Sequence, residues 1–470
     1  MSGIGVLDNL GRGLYGLIVD TLWAAKEFQT LDLGDERLNA RAASLAARLL
    51  EHPASSLPQA CRGWAETKAA YRLFDNDEVD PDEILKAHRD ATVARIGDLG
   101  PERVLVVHDT TTLTYTTHHA VKGMGPIGGP KQTGYFVHSA EAVSLQGVPL
   151  GLLAQLRLVR EPEQESGETR KVPPQERESQ RWIQLLLASS RALPSGVQPI
   201  HVADREADFF GFLTAASDNS LDLVVRARWD RTLDEEGNPH LRAAVAATAP
   251  LGSVTIDIPR ADDHPSYQAT LDLHACPVSF RPPQDAAHRG QSSLPIWAVL
   301  ARQTDTPPPG QEPVVWVLLT TLPVANMEMA LQILRWYTLR WRIERFHYTL
   351  KSGCHIQEIQ LQTFDRQERA LALYSVVAWR LQYITYLART EPTLPASSCL
   401  MSDEIAVLAT TFRHDPAKPP PDLHTAVRWI AQLGGFLARR RDGEPGVKVL
   451  WQGLAALHLM VRGYQLPRRE

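Results

Sequence analysis

The chain has 470 residues, of which 44% are hydrophobic and 22% charged, and it carries a formal net charge of −5. This length exceeds the roughly 250–300 residues at which one hydrophobic core stops growing, so two or three domains are expected, and the composition excludes a disordered chain. There is no apolar run long enough to span a membrane and no basic leader with an apolar stretch behind it, and Cys61, Cys276, Cys354 and Cys399 form no CxxC pair; a membrane span, an export signal, a disulfide framework and a zinc cage are therefore not expected, and a reducing cytoplasm fits best.

From Thr30 to about Gly97 apolar residues recur at helix spacing, as in Leu45, Leu49 and Leu50, which predicts a small helical domain over residues 1–97. Short apolar runs follow. Val104 to Val107 leads into Asp109, and Ala140–Leu145 and Leu150–Val159 read as a hairpin turning at Gln146-Gly147. Arg160 to Arg177 is nearly free of apolar residues and reads as an exposed loop before a helix at Ser179–Leu193. Ile200 to Ala203 then forms a strand ending at Asp204, with a helix starting within Arg205–Ala215.

Between Leu221 and Thr320 the sequence alternates β-branched and polar residues, which predicts a β-rich insertion over 227–315. A long helix is expected from Met327 to Lys351 and another from Arg366 to Ala388. A proline-rich linker, Lys418–Pro421, precedes a last helical block from His424. The strand-containing unit would then occupy 98–390 and a helical C-terminal domain 391–470. Although the net charge is acidic, Arg335 to Lys351 holds five Lys or Arg against one Glu, and Arg439 to Arg441 is a basic cluster. Local basic faces therefore remain available to an acidic partner.

The most informative stretch contains Tyr337, Arg340, Glu344 and Lys351. On one continuous helix these four would fall within roughly 60° of each other, opposite an apolar stripe of Leu339, Ile343, Phe346 and Leu350. A carboxylate flanked by two cations and a phenol suits metal and phosphate together; the plainer alternative is a solvated face with intrahelical ion pairs. Asp109 and Asp204 each follow a short apolar run, so both are expected at strand ends on one crevice edge, although a turn or helix N-cap would equally favour Asp. Hard divalent cations take oxygen ligands, so a few separated carboxylates suffice to bind them against a phosphodiester.

The spacing Tyr337-x2-Arg340-x3-Glu344-x6-Lys351 resembles the Y-R-E-K signature of the DDE transposases of the IS-four family. The likeness extends from Asp32-Leu33-Gly34-Asp35-Glu36-Arg37 and Trp64-Ala65-Glu66-Thr67-Lys68, through Asp109-Thr110-Thr111 and Asp204-Arg205-Glu206-Ala207-Asp208, to Leu433-Gly434-Gly435-Phe436 and Trp451-Gln452-Gly453. It implies an α/β fold: an RNase H-like catalytic domain with a β-rich insertion, flanked by helical N- and C-terminal domains. It also implies a cut-and-paste transposase that cleaves transposon ends through a hairpin and joins the 3′-hydroxyls to target DNA. Asp109, Asp204 and Glu344 would be catalytic and bind two Mg2+, with Mn2+ as a substitute. Tyr337, Arg340, Lys351 and Arg226 would hold DNA phosphate.

By the same resemblance Trp316 would stack on a flipped base, against the alternative of a strand-core tryptophan. The N-terminal block would contact transposon-end DNA through residues such as Arg37, Arg41, Arg48, Arg62 and Lys68, where solubility alone would also explain Lys and Arg. The C-terminal block would support a homodimer in the synaptic complex, with no membrane partner. An RNase H-like structure-specific nuclease, a catalytically silent DNA-binding regulator and, more remotely, a glycosidase with paired carboxylates are the alternatives.

Overall fold

The computed structural model describes residues 22–466 apart from 62, 118–119, 130, 162–178, 238, 259–266, 285–287 and 289. The predicted loop of Arg160–Arg177 falls outside the described residues from position 162, and Arg62 also lies outside them.

The run Val104–Val107 lies in strand β1 (Arg103–Thr114). This strand is longer than its apolar run because Thr110, Thr111 and Thr112 favour extended backbone. Asp109 consequently sits within the strand rather than at its end, which corrects the expectation from sequence. A two-residue strand β2 (Gly125–Pro126) leads into β3 (Thr133–Val143), and β4 (Pro149–Leu158) completes the predicted hairpin. Its turn places Gly147 at φ +94°, a left-handed conformation that disfavours side chains with a Cβ.

Strand β1 pairs antiparallel with β3 on one side and parallel with β5 (Gln198–Ala203) on the other. Beyond β5 lies β6 (Asp222–Arg226), also parallel. The order β4-β3-β1-β5-β6, an antiparallel meander continued by two parallel strands, is that of an RNase H-like sheet.

The β-rich insertion extends this sheet rather than forming a separate layer. Its strands are β7 (Gly252–Ile258), β8 (Tyr267–Phe280) and β9 (Leu294–Gln303), and β10 (Val315–Thr320) begins where it ends. Strand β10 pairs antiparallel with β6, Leu318 opposite Arg226, and β9, β8 and β7 follow outward.

Alternation sends the side chains of β1 and β5 into two cores. Leu105, Val107, Ile200 and Val202 face the helices Met327–Leu339 and Phe364–Thr390, whereas Val104 and Val106 face the opposite layer, where Leu185 of the helix Gln180–Ala192 packs against them. The helix Phe364–Thr390 is buried along most of its length, touching β4, the N-terminal helix Glu36–Glu51 and the C-terminal helices. Its apolar residues surround it because it has neighbours all round.

The C-terminal helices Leu423–Leu433 and Val447–Gln465 cross with their backbones touching. A Cβ on Gly453 would lie 1.7 Å from the Ile430 carbonyl oxygen, and one on Gly434 would lie 1.9 Å from that of Val449. All four cysteines are free, and among the described residues no helix is long and apolar enough to cross a membrane.

Candidate active site and DNA-facing residues

The parallel ladder between β1 and β5 ends with Val107 opposite Val202. Asp109 and Asp204 each stand two residues beyond that pair, so they lie side by side on one sheet face where the two strands part. Asp204 also caps the short helix Arg205–Ala207, its Oδ1 accepting from the Glu206 amide at 2.8 Å. Capping and convergence are therefore compatible roles.

Burial pushes the Asp204 carboxyl above its ordinary range; the Glu206 amide opposes the rise and the Asp109 charge adds to it. Glu206 is raised too, by burial and then by Asp204. Three carboxylates thus repel one another at one edge, with cations approaching from two sides. Arg181 Nη2 lies 3.6 Å from Glu206, and the helix over the sheet brings Arg340 and Lys351.

That helix is not continuous, contrary to the expected single span. It runs Met327–Leu339 and Trp341–Tyr348, and ends in a π turn over Thr349–Gly353. At the break the Arg340 amide donates to Tyr337, three residues back, and the Ile343 amide to Arg340, a local tightening of the α-helical ladder. Arg342 secures the second segment to the β3–β4 turn, its Nε donating to the Gly147 carbonyl at 2.9 Å.

The apolar stripe is as expected at Ile343, Phe346 and Leu350, all fully buried. The polar quartet is not a uniform groove wall. Tyr337 is only 2% exposed and its ring meets Trp316 edge-on, with centroids 5.6 Å apart. Arg340 is 8% exposed, and its Nη2 donates to Glu344 Oε1 at 2.5 Å. Burial works against the Arg340 charge, but Tyr337, Glu344 and Asp109 outweigh it. Lys351 is half-buried; burial lowers its amine and the Asp109 charge pulls it back.

Asp109 and Asp204 are therefore brought together, with Arg340 and Lys351 in electrostatic reach, while Glu344 is engaged by Arg340. Among the described residues no three His, Cys, Asp or Glu side chains are grouped closely enough to hold a metal. The donor set nevertheless fits a hard cation, because it consists of carboxylate oxygens, and burial, with the Asp109 charge adding to it, already raises Asp204 in a way a bound cation would relieve.

Sequence reasoning missed His347, whose Nδ1 lies 3.4 Å from Asp109 Oδ2. Its spacing of three from Glu344 was the available signal. It also gave no role to Glu206, although that residue stands two positions after Asp204, and it missed Arg181, which only the fold brings to the carboxylates.

Arg226 ends β6 and is half-buried, beside Arg205. In the N-terminal block, Arg41 and Lys68 are exposed, and so is Arg37, which pairs with Asp35 at 2.8 Å. Arg48 departs from the expectation of a DNA-facing side chain. It is 2% exposed and paired with Glu51 at 2.6 Å and Glu66 at 3.7 Å, because its helix turns that face toward the neighbouring helix Trp64–Phe74.

Three family models match the chain: "Transposase DNA-binding" over residues 20–79, "Transposase DDE domain" over 169–380 and "Transposase Tn5 dimerisation domain" over 376–469. A piggyBac transposase chain, solved in a synaptic complex with hairpin DNA, aligns with 97% of this chain and 80% of its own length at a TM-score of 0.35 and 9% identity, a likeness too slight to bear on mechanism. The protein is thus a DNA-acting transposase with a dimerisation region, and the chain belongs to the Tn5-type DDE transposases of the IS-four family.

Proposed function

We propose that the protein excises its element by cut-and-paste, cleaving each transposon end through a hairpin and joining the freed 3′-hydroxyls to target DNA. The observation that carries this reading is the placement of Asp109 and Asp204 side by side where β1 and β5 part, under the interrupted helical segment that carries Arg340 at its break, Glu344 and, in its closing π turn, Lys351.

Asp109, Asp204 and Glu344 would hold divalent cations, Mg2+ or Mn2+, two at a time, and such ions supply charge neutralisation for the attacking and leaving oxygens. The side chains perform the positioning. Arg340 and Lys351, with Tyr337 at their base, orient the scissile phosphate; Arg340 also holds the Glu344 carboxylate in place. Trp316 receives the base displaced when the 3′-hydroxyl attacks the opposite strand. Exposed Arg37, Arg41 and Lys68 bind the transposon end, and the C-terminal helices pair two subunits so that each cuts the end held mainly by the other.

In each chemical step an oxygen nucleophile attacks phosphorus in line and the opposite oxygen departs. Water attacks first and releases a 3′-hydroxyl at the element end. That hydroxyl then attacks the complementary strand, which frees the flanking DNA and closes the hairpin. Water reopens the hairpin, and the regenerated 3′-hydroxyl attacks a target phosphodiester. One carboxylate set serves all four because the geometry at phosphorus repeats.

The test is incubation of the full chain with short duplexes taken from the flanks of its own gene, with and without Mg2+, scored for nicks, hairpins and joined products. Mg2+-dependent nicks followed by hairpins are expected. Nicks without joining would reduce the protein to a nuclease, and binding without any nick would make it a silent regulator.

A further inference from the structure

After β6 the chain turns outward through Arg226-Ala227-Arg228-Trp229, and a buried carboxylate fixes that turn. Asp208, 1% exposed, accepts at Oδ2 from the amides of Arg228 at 2.6 Å and Trp229 at 3.0 Å. Its other oxygen is bound by Arg231, whose Nη2 also donates to the Asp208 carbonyl at 2.8 Å. Asp208 is thereby committed to backbone and to Arg231, leaving the Arg228 guanidinium outside.

Beside this turn lies a hollow of about 160 Å³ lined by Arg205, Arg226, Arg228 and Arg242, with Val315 and Val317 of β10 beneath. Arg242 comes from the insertion helix Leu241–Ala246, where its amide, not its side chain, is held by Asp230. No carboxylate lines the hollow, and among the described residues none of the four guanidiniums makes an ion pair within 4.0 Å, although Asp204 acts on Arg205 and Glu206 on Arg228 from beyond that distance. Glu206, next in sequence to Arg205, is bridged instead by Arg181 at 3.6 Å. Four planar cations around one hollow match an oxyanion, because guanidinium forks bind phosphate oxygens two at a time.

Trp229 adds a second chemical preference. It is 55% exposed, the Arg228 Cζ lies 4.9 Å from its ring, and it stands on the adjoining cleft, which Arg205 and Arg228 also line. An exposed indole beside a cation cluster suits a nucleotide, offering a stacking face together with a phosphate clamp. Free inorganic phosphate would use only the clamp.

We infer that this arginine hollow seats a phosphodiester of a DNA strand running from the carboxylates toward the insertion, with Arg228 and Arg242 as its outer contacts and Trp229 stacking on a neighbouring base. The inference rests on the proposed DNA cleavage reaction and gives the insertion a direct part in holding substrate. The strand belongs either to the transposon end or to target DNA, and the two are separable by probe.

The experiment compares the full chain with Arg228→Gln, Arg242→Gln and the double variant. Each is titrated at several salt concentrations with an end duplex and with a duplex of unrelated sequence presented to pre-cleaved complexes. One seated phosphate releases about one counterion, so the double variant, which removes two of the four cations around it, is expected to flatten the salt dependence of affinity by up to about one in log–log slope. Flattening with the end duplex assigns the strand to the transposon end, and flattening with the unrelated duplex assigns it to the target. Unchanged slopes on both, in a variant with wild-type thermal unfolding, would overturn the hollow while leaving the cleavage reading intact. A wild-type chain that binds and nicks neither duplex overturns both.

Discussion

Arg340, the residue at the break between Met327–Leu339 and Trp341–Tyr348, donates from Nη2 to Glu344 Oε1 one turn into the second segment at 2.5 Å. A carboxylate so placed belongs to the helix that covers Asp109, yet its strongest local partner is a cation. Its reactive role depends on exchanging that partner.

Glu344→Ala should therefore lower Mg2+-dependent nicking by on the order of a thousandfold or more while end-duplex binding persists, since it removes a ligand and not a docking surface. Nicking assays beside band shifts at one protein concentration give the comparison. Retained nicking would dismiss Glu344 as a ligand.

Trp316 is half-buried on β10 and edge-on to Tyr337. If it receives a displaced base, Trp316→Ala should depress hairpin formation about tenfold to a hundredfold, in line with stacking of roughly 1–3 kcal/mol per base, and leave first-strand nicking largely intact. Equal loss of both steps in a time course would return Trp316 to a core role.

Glu141 of β3 is fully buried; burial pushes the group up to about 8, against the pull of Arg342 and of the Gln382 side chain. Its folded-state value thus lies above its unfolded one, so the folded chain binds the extra proton. The resulting stability is full below about pH 4.5 and is lost as pH climbs through about 8. Glu141→Gln, neutral throughout, should gain on the wild type by a few kcal/mol between those limits. Urea unfolding at both ends of the window measures it, and a constant difference would refute the assignment.

Gly453→Ala sets two effects against each other. Alanine in a helix interior is favoured over glycine by about 1 kcal/mol, but here the new methyl meets the Ile430 carbonyl oxygen at 1.7 Å. Backbone cannot yield as a flexible side chain does, so overpacking of roughly 1–3 kcal/mol or more should win. A lower unfolding temperature is expected; a higher one would mean that the helices separate freely.

Much of this was legible from local pattern. Val104–Val107 and Ile200–Ala203 announced two buried strands, and the acids behind them fell on one edge because a parallel register aligns residues at equal distance from paired positions. The break at Arg340 was not legible, since Met327–Tyr348 contains no proline or glycine; it coincides with the burial of Tyr337 under Trp316, a tertiary contact. Arg48 was misjudged because Glu66 reaches it only through helix packing. The arginine hollow gathers residues from beyond β5, the end of β6 and the insertion, so no window of sequence contains it.

The unbroken ladder from β6 into β10 and β9 has a mechanical corollary. An appended region joined by flexible linkers could drift by several ångströms relative to the rest, whereas one joined by main-chain hydrogen bonds must shear or bend with its host. Tension applied through nucleic acid on the outer strands would consequently be transmitted along the amide network to Asp204, and deuterium uptake in β10 should rise and fall with that of β6.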